Sequence, residues 1–249
     1  MDRIISEMVK AEGISKTYRL SRQNRVDALK NVSIRILKGE SVIIGGPSGS
    51  GKSTLLNLLG CLDRPSGGRI FHSGEDVTGY SEEELCRIRR ESIGFVFQEF
   101  HLLPRMTAWE NVSVSLVPLG VSEKERFRRA CALLDQLGLH ERIVHRPEEM
   151  SGGEQQRVAV ARALINDPEF FLADEPTSNI DAVSALKVVE MLAGLRSKGC
   201  TIIIATHDID SLQQSCSGGS AFEADAVYRL AGGNIESISQ IPWSAPGGA

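Results

Sequence analysis

Two glycine-bearing stretches in this chain could each hold an anion, and an acidic pair follows them both. The first runs Gly46-Pro47-Ser48-Gly49-Ser50-Gly51-Lys52-Ser53-Thr54, after apolar Val42-Ile43-Ile44 and into a helix-like run from Lys52 to Leu59. Glycines let backbone N–H groups come close to phosphate oxygens, and a helix N-terminus adds a favourable dipole. Lys52 would neutralise β- and γ-phosphate charge, and the Ser53 hydroxyl would ligate Mg2+. A Gly-rich turn can arise by chance, but strand, loop and helix in this order form the full phosphate-binding pattern.

The second stretch is Ser151-Gly152-Gly153-Glu154-Gln155. Ser151 and Glu154 form a capping-box pattern that opens a helix through Val158–Leu164, which is explanation enough for a helix start. The two glycines also bare N–H groups at its mouth, so the same turn is a second anion site. Downstream, apolar Phe170-Phe171-Leu172-Ala173 ends in Asp174-Glu175. Strand-end acidic pairs are common. Beside a phosphate loop, however, the Asp can hold Mg2+ and the Glu can orient and deprotonate a water. Spacing alone shows only that a carboxylate could sit there. Gln98 closes the short run Ile93–Phe97, and His207 closes Thr201–Thr206; a lone Gln or His at a strand end carries little by itself.

These residues must be positioned by a scaffold in which strands and helices alternate. Apolar runs at 42–45, 93–97, 170–173, 201–205 and 226–230 have strand length, and Val183–Leu195 has helical spacing. Buried strands alternating with helices predict a mostly parallel sheet covered on both faces. Two regions interrupt it. Residues up to about 40, with about 65–80, are turn-rich with short alternating strands, which predicts a small antiparallel sheet. Residues from Glu99 to about Met150 carry Phe127, Cys131, Leu134 and Leu137 at helical spacing, which predicts a helical insertion. Residues 211–222 read as an inserted Ser/Gly loop, and the end of the chain as disordered.

Composition narrows the class. One domain with insertions suits 249 residues, and no apolar run reaches the ~18 residues needed to span a bilayer. The N-terminus does not read as a signal peptide. Net charge of −4 argues against a nucleic-acid binder; the Arg87–Arg90 and Arg126–Arg129 clusters read as solvated faces of capped helices. Five cysteines without Cys-x-x-Cys spacing suggest free thiols in a reducing compartment.

From about Met8 to Ile238 the chain resembles the ATP-binding subunit of an ABC transporter, on the order of its phosphate loop, its Ser-Gly-Gly-Glu-Gln run and Asp174-Glu175. It is most similar to the group serving lipoprotein release, macrolide export and the bacterial division-associated complex. The resemblance implies a single α/β domain over residues 1–249. Its core would be a P-loop (RecA-like) sheet, with the small antiparallel part, a helical subdomain over about 99–163, and a tail at 240–249. It implies ATP and Mg2+ as ligands. Gly46, Ser48, Gly49, Ser50, Gly51, Lys52, Ser53 and Thr54 would hold the phosphates, and Tyr18 would stack on adenine. Ser53, Gln98 and Asp174 would hold the metal, with Glu175, His207 and Gln98 catalytic. Ser151, Gly152, Gly153 and Asp181 would meet the nucleotide of a second copy in a head-to-tail dimer. Met150 and Glu154 depart from the commonest family residues without removing the anion site, and Ser178 and Ile180 depart from them in the run that ends at Asp181. The resemblance further implies a cytoplasmic protein, peripheral on the inner face of the membrane, driving a permease-type subunit through residues 99–111. The same motifs would serve an ATPase that regulates a membrane partner without moving cargo.

Overall fold

A computed structural model describes residues 6–19, 21, 24–178, 180–214 and 222–240. Six strands form the central sheet: β3 (Ser41–Gly45), β6 (Ile93–Val96), β7 (Phe170–Asp174), β8 (Thr201–Thr206), β9 (Ala226–Ala231) and β10 (Asn234–Gln240). Their order is β10-β9-β3-β8-β7-β6, parallel except for the β9–β10 hairpin. Every residue of β3, β7 and β8 is buried. That is why these strands are runs of Ile, Phe and Val without a polar face: both sides of a parallel sheet are covered.

Strand periodicity splits the core in two. Ile43, Phe171, Ile202 and Ile204 point to one face, where they meet α5 (Gly152–Leu164), α6 (Ala182–Ser197) and the helical region. Val42, Ile44, Phe170, Leu172 and Ile203 point to the other, onto α1 (Lys52–Leu59) and a second sheet. Each such buried side chain stabilises the fold by about 1.5–3 kcal/mol relative to exposure. The second sheet is antiparallel, ordered β2-β1-β4-β5 from β1 (Glu7–Arg19), β2 (Arg25–Leu37), β4 (Gly67–His72) and β5 (Glu75–Asp76). The fold is thus α/β with a mostly parallel sheet and a small antiparallel one. His72 ties that sheet to α1: its Nε2 lies 2.8 Å from the Leu59 carbonyl, and burial pulls its pKa down to about 4. A neutral imidazole donates that hydrogen bond.

Between β6 and α5 lie α3 (Ala108–Ser113), α4 (Glu123–Gln136) and three short 3-10 turns. The capping box anticipated at Ser151 and Glu154 is present, as is one at Ser81 and Glu84 opening α2 (Glu82–Ser92). At Ser122 only half forms. The Ser accepts from the Glu125 amide, while the Glu125 carboxylate turns to Arg128 and Arg129. Residues read as the start of a loop at 211–214 instead finish a helix, α7 (Ile209–Gln214). The rest of that stretch to 221, and the tail beyond 240, lie outside the described residues, but Phe222 is fully buried in the core.

Candidate nucleotide site

The parallel strands bring their C-terminal ends to one edge. Val96 pairs with Ala173, Asp174 with Ala205, and Thr206 with Gly45, so the segments after β6, β7, β8 and β3 emerge side by side. Ligands in open α/β sheets bind at this edge. Here it opens a cavity of about 860 Å3 lined by Pro47, Ser48, Gly49, Gly51, Lys52, Ser53, Thr54, Gln98, Glu175 and His207. Residues scattered over 160 positions of sequence therefore share one wall.

The phosphate loop owes its shape to its glycines. Gly51 sits at φ +105, and a Cβ there would lie 2.5 Å from the Ala28 carbonyl oxygen. At Gly46 a Cβ would fall 2.2 Å from the Leu230 carbonyl oxygen. Only glycine permits these approaches. No side chain caps the N-terminus of α1, so its first N–H groups stay available to an anion. Lys52 is 7% exposed and folds back to donate to the carbonyls of Gly46 (2.9 Å) and Pro47 (3.1 Å).

Glu175 stands 3.9 Å from the Lys52 ammonium. It adopts φ +48, a left-handed conformation that L side chains seldom take, held by its N–H donating to the Ala205 carbonyl at 2.8 Å. Only 8% exposed, its carboxylate meets the β8 end through both oxygens. Oε1 accepts from the His207 backbone N–H at 3.0 Å and lies 2.8 Å from His207 Nδ1; Oε2 accepts from the Thr206 hydroxyl at 3.1 Å. The His207 side chain itself is 61% exposed at the cavity rim.

Asp174, one residue earlier, is buried beneath the loop. Burial raises its pKa, opposed by a hydrogen bond from Ser53. Its Oδ1 is buried without a hydrogen-bond partner in the protein. An orphaned carboxylate oxygen beside a serine hydroxyl, with Gln98 exposed at the same rim, is an all-oxygen donor set suited to a hard divalent cation. The residues present therefore fit Mg2+. Among the described residues there is no cluster of three His, Cys, Asp or Glu side chains able to hold a metal by themselves. Aromatic packing flanks Gln98: Phe95 and Phe97 stack at 4.4 Å, and Phe97 meets the His101 ring edge-on at 5.1 Å.

Other residues singled out in the sequence lie elsewhere. Tyr18 does not line the cavity. It is half-buried, its hydroxyl donates to Asp63 at 2.9 Å, and the Lys16 ammonium sits 5.0 Å over its ring. Ser151, Gly152 and Gly153 are likewise outside the cavity, at the mouth of α5. A Cβ on Gly153 would lie 2.2 Å from Ser184 Oγ and 2.9 Å from Asp181 Oδ2. Asp181 caps α6 through the Ser184 amide (3.0 Å), and buried Arg157 donates to the Ser184 hydroxyl (2.6 Å). The second glycine turn and Asp181 thus form one joined surface, separate from the first loop.

Sequence reasoning missed part of the cavity wall. Val26, Asp27, Ala28 and Lys30 of β2, with Gly232 and Gly233 of the β9–β10 turn, complete it. The Lys30 amide donates to the Gly233 carbonyl (2.8 Å), and the Gly233 amide to the Ser50 carbonyl (3.2 Å). Consecutive glycines at 232–233 mark a turn, but nothing in the sequence says what that turn touches.

Beyond Gln98, residues 99–111 wrap the helical region. The Asn111 amide is fully buried and staples the bend, accepting from the Leu103 N–H (2.6 Å) and donating to the carbonyls of Leu103, Met106 and Thr107. Trp109 meets Phe127 edge-on at 5.2 Å, and Leu103 is 41% exposed.

Comparison with known proteins agrees with this geometry. The ABC transporter family profile matches residues 29–178. The chain is 47% identical over 216 residues to an uncharacterized ABC transporter ATP-binding protein of Thermotoga maritima, covering 87% of this chain and 88% of that one. It is also 47% identical over 235 residues to the macrolide export ATP-binding/permease protein MacB of Bdellovibrio bacteriovorus, covering 94% of this chain but only 34% of that protein. Among solved structures it superposes with TM-score 0.85 and 40% identity on the dimeric, post-hydrolysis ATP-binding cassette MJ0796 bound to ADP and Pi, covering 94% and 98% of the two chains.

Proposed function

The chain belongs to the ABC transporter family, and we propose that it is the ATP-hydrolysing, nucleotide-binding subunit that drives a separate membrane-spanning subunit. The observation carrying this reading is the single cavity in which Lys52, Gln98, Glu175 and His207 meet the phosphate loop. The reaction is transfer of the γ-phosphoryl group of ATP to water, giving ADP and inorganic phosphate.

The loop amides and the uncapped α1 N-terminus bind the phosphates. Lys52 exchanges two carbonyl partners for charged phosphate oxygens, which are stronger acceptors. Mg2+, held by Ser53, Gln98 and Asp174, would supply charge neutralisation across the β- and γ-phosphate oxygens. Glu175, fixed by Thr206 and His207, accepts the proton of the attacking water as its oxygen bonds to phosphorus and the bridge to ADP breaks. His207, at the exposed rim, contacts the γ-phosphate. Tyr18 meets Thr54 of the cavity wall through its hydroxyl, and in this reading adenine stacks on its ring.

Ser151, Gly152, Gly153 and Asp181 act on the nucleotide of a second copy. The separation of the two glycine turns within one chain supports this, as does the dimeric state of the MJ0796 relative. ATP drives the cycle because it binds the closed pair better than the open one. The ATP-binding/permease naming of the MacB relative, of which this chain spans about a third, supports a permease partner. No described helix is long and apolar enough to cross a membrane. In the proposed role the chain is a peripheral subunit on the cytoplasmic face of its membrane partner. Exposed Leu103 and half-buried Trp109 support residues 99–111 as the contact to that partner.

Glu175→Gln is the test. Phosphate release should fall by at least ~100-fold, while ATP still binds and a dimer accumulates on a sizing column. Turnover at the wild-type rate would remove Glu175 from the role of base.

A further inference from the structure

We propose that Thr206 is a positioning residue for hydrolysis: its buried hydroxyl sets the orientation of the Glu175 carboxylate. This rests on the reading of Glu175 as base. Thr206 ends β8, a strand of sequence Thr-Ile-Ile-Ile-Ala-Thr buried throughout, and is itself 2% exposed. A valine would fill the same volume without a polar atom. A buried hydroxyl here costs stability unless its bonds are met.

They are met, and with direction. The hydroxyl oxygen accepts from the Asp208 N–H at 3.1 Å. Its single hydrogen can go to Glu175 Oε2 at 3.1 Å or to the Asp208 carbonyl at 3.4 Å. The carboxylate is the nearer acceptor, and charge strengthens the bond. The result is a short relay from the Asp208 amide through Thr206 to the base. Donors in series polarise one another.

The opposite oxygen, Oε1, is engaged by His207. With Oε1 alone held, the carboxylate keeps a wider swing about its terminal torsion, which is broad for Glu. The Thr206 bond removes that freedom. It acts on a side chain whose backbone is already pinned at φ +48 by the Ala205 carbonyl. The base therefore presents one geometry to an attacking water, and small errors in such geometry are costly in rate.

The test compares Thr206→Val, Thr206→Ala and Thr206→Ser in steady-state ATP hydrolysis, with thermal midpoints recorded alongside. Val and Ala should lower kcat by about tenfold or more, with KM for ATP within about twofold of wild type. Ser should restore most of the rate, because it returns the hydroxyl. In a Glu175→Gln background, Thr206→Val should lower the residual single-turnover rate no further. Wild-type kcat in Val and Ala, a rise in KM that carries the whole loss, or no recovery with Ser would each overturn the proposal while leaving the ATPase reading intact. Wild-type turnover in Glu175→Gln would overturn both.

Discussion

The chain carries two glycine-rich helix mouths, and they are built on opposite plans. At Gly46–Thr54 the glycines serve the backbone: they take positive φ where an added Cβ would fall as close as 2.2 Å to a carbonyl oxygen, and α1 begins uncapped, facing a cavity. At Ser151–Gly153 the helix caps itself. Ser151 accepts from the Glu154 amide, the Glu154 carboxylate accepts from the Ser151 amide, and Arg142 holds that carboxylate at 2.9 Å. There Gly153 makes room for Asp181 and Ser184. The first mouth is a site finished within one chain. The second is capped by its own residues, and on the proposed reading it is completed by the nucleotide of a second copy. On that reading a single fold keeps one phosphate contact within the chain and makes the other conditional on association.

Substituting the glycines separates the two plans. Gly51→Ala should have the largest effect, because the carbonyl of Ala28 is backbone and cannot swing aside. We expect loss of ATP binding in equilibrium dialysis and about 2–4 kcal/mol of stability. Gly49, at φ +76 with nothing near its missing Cβ, should tolerate Ala at a cost of about 1 kcal/mol. Equal effects at 49 and 51 would break the distinction between space and strain.

Gly153→Ala should come next, at about 1–3 kcal/mol by denaturant titration, since Ser184 and Asp181 must shift. ATP binding by the isolated chain should survive, and ATP-dependent dimerisation should not. Loss of both would mean that the second mouth is not conditional after all. The smallest change is Asp181→Ala, which removes the α6 cap and should lower the melting temperature by about 2–4 °C near neutrality. Hydrogen bonds from Ser184 hold the Asp181 carboxyl below its ordinary pKa. Its stabilisation is therefore complete above the unfolded carboxylate range and disappears as pH falls through the folded value. Wild type and variant should converge in acid.

Much of the first mouth was legible in the sequence, because its signals are local. The strand 42–45, the glycine spacing and the helix from Lys52 follow one another along the chain, and the capping box at Ser151 is likewise a four-residue pattern. Asp174-Glu175 could be placed at a strand end, but not its partners. That Thr206 grips one carboxylate oxygen depends on the parallel register of β7 against β8, which no local pattern encodes. The same holds for Val26–Lys30 and Gly232–Gly233, brought to the loop by strand pairings over long separations. Tyr18 shows the converse. Its type suggests a stacking platform, but that its hydroxyl meets Asp63 and Thr54, with Lys16 over the ring, depends on how β1 packs against α1 and the turn after it. Residues 211–214 were misread because short polar helices carry too few apolar positions to show a period.

The clasp of Gly233 onto Lys30 and Ser50 has a bearing on biosynthesis. The loop that will cradle phosphate leaves the ribosome some 180 residues before its rear support. At ~5–20 residues per second that is a delay of roughly ten seconds or more. Through that interval the emerging polypeptide carries its best-known motif without the wall behind it. If nucleotide binding needs that wall, it would report the docking of the β9–β10 hairpin.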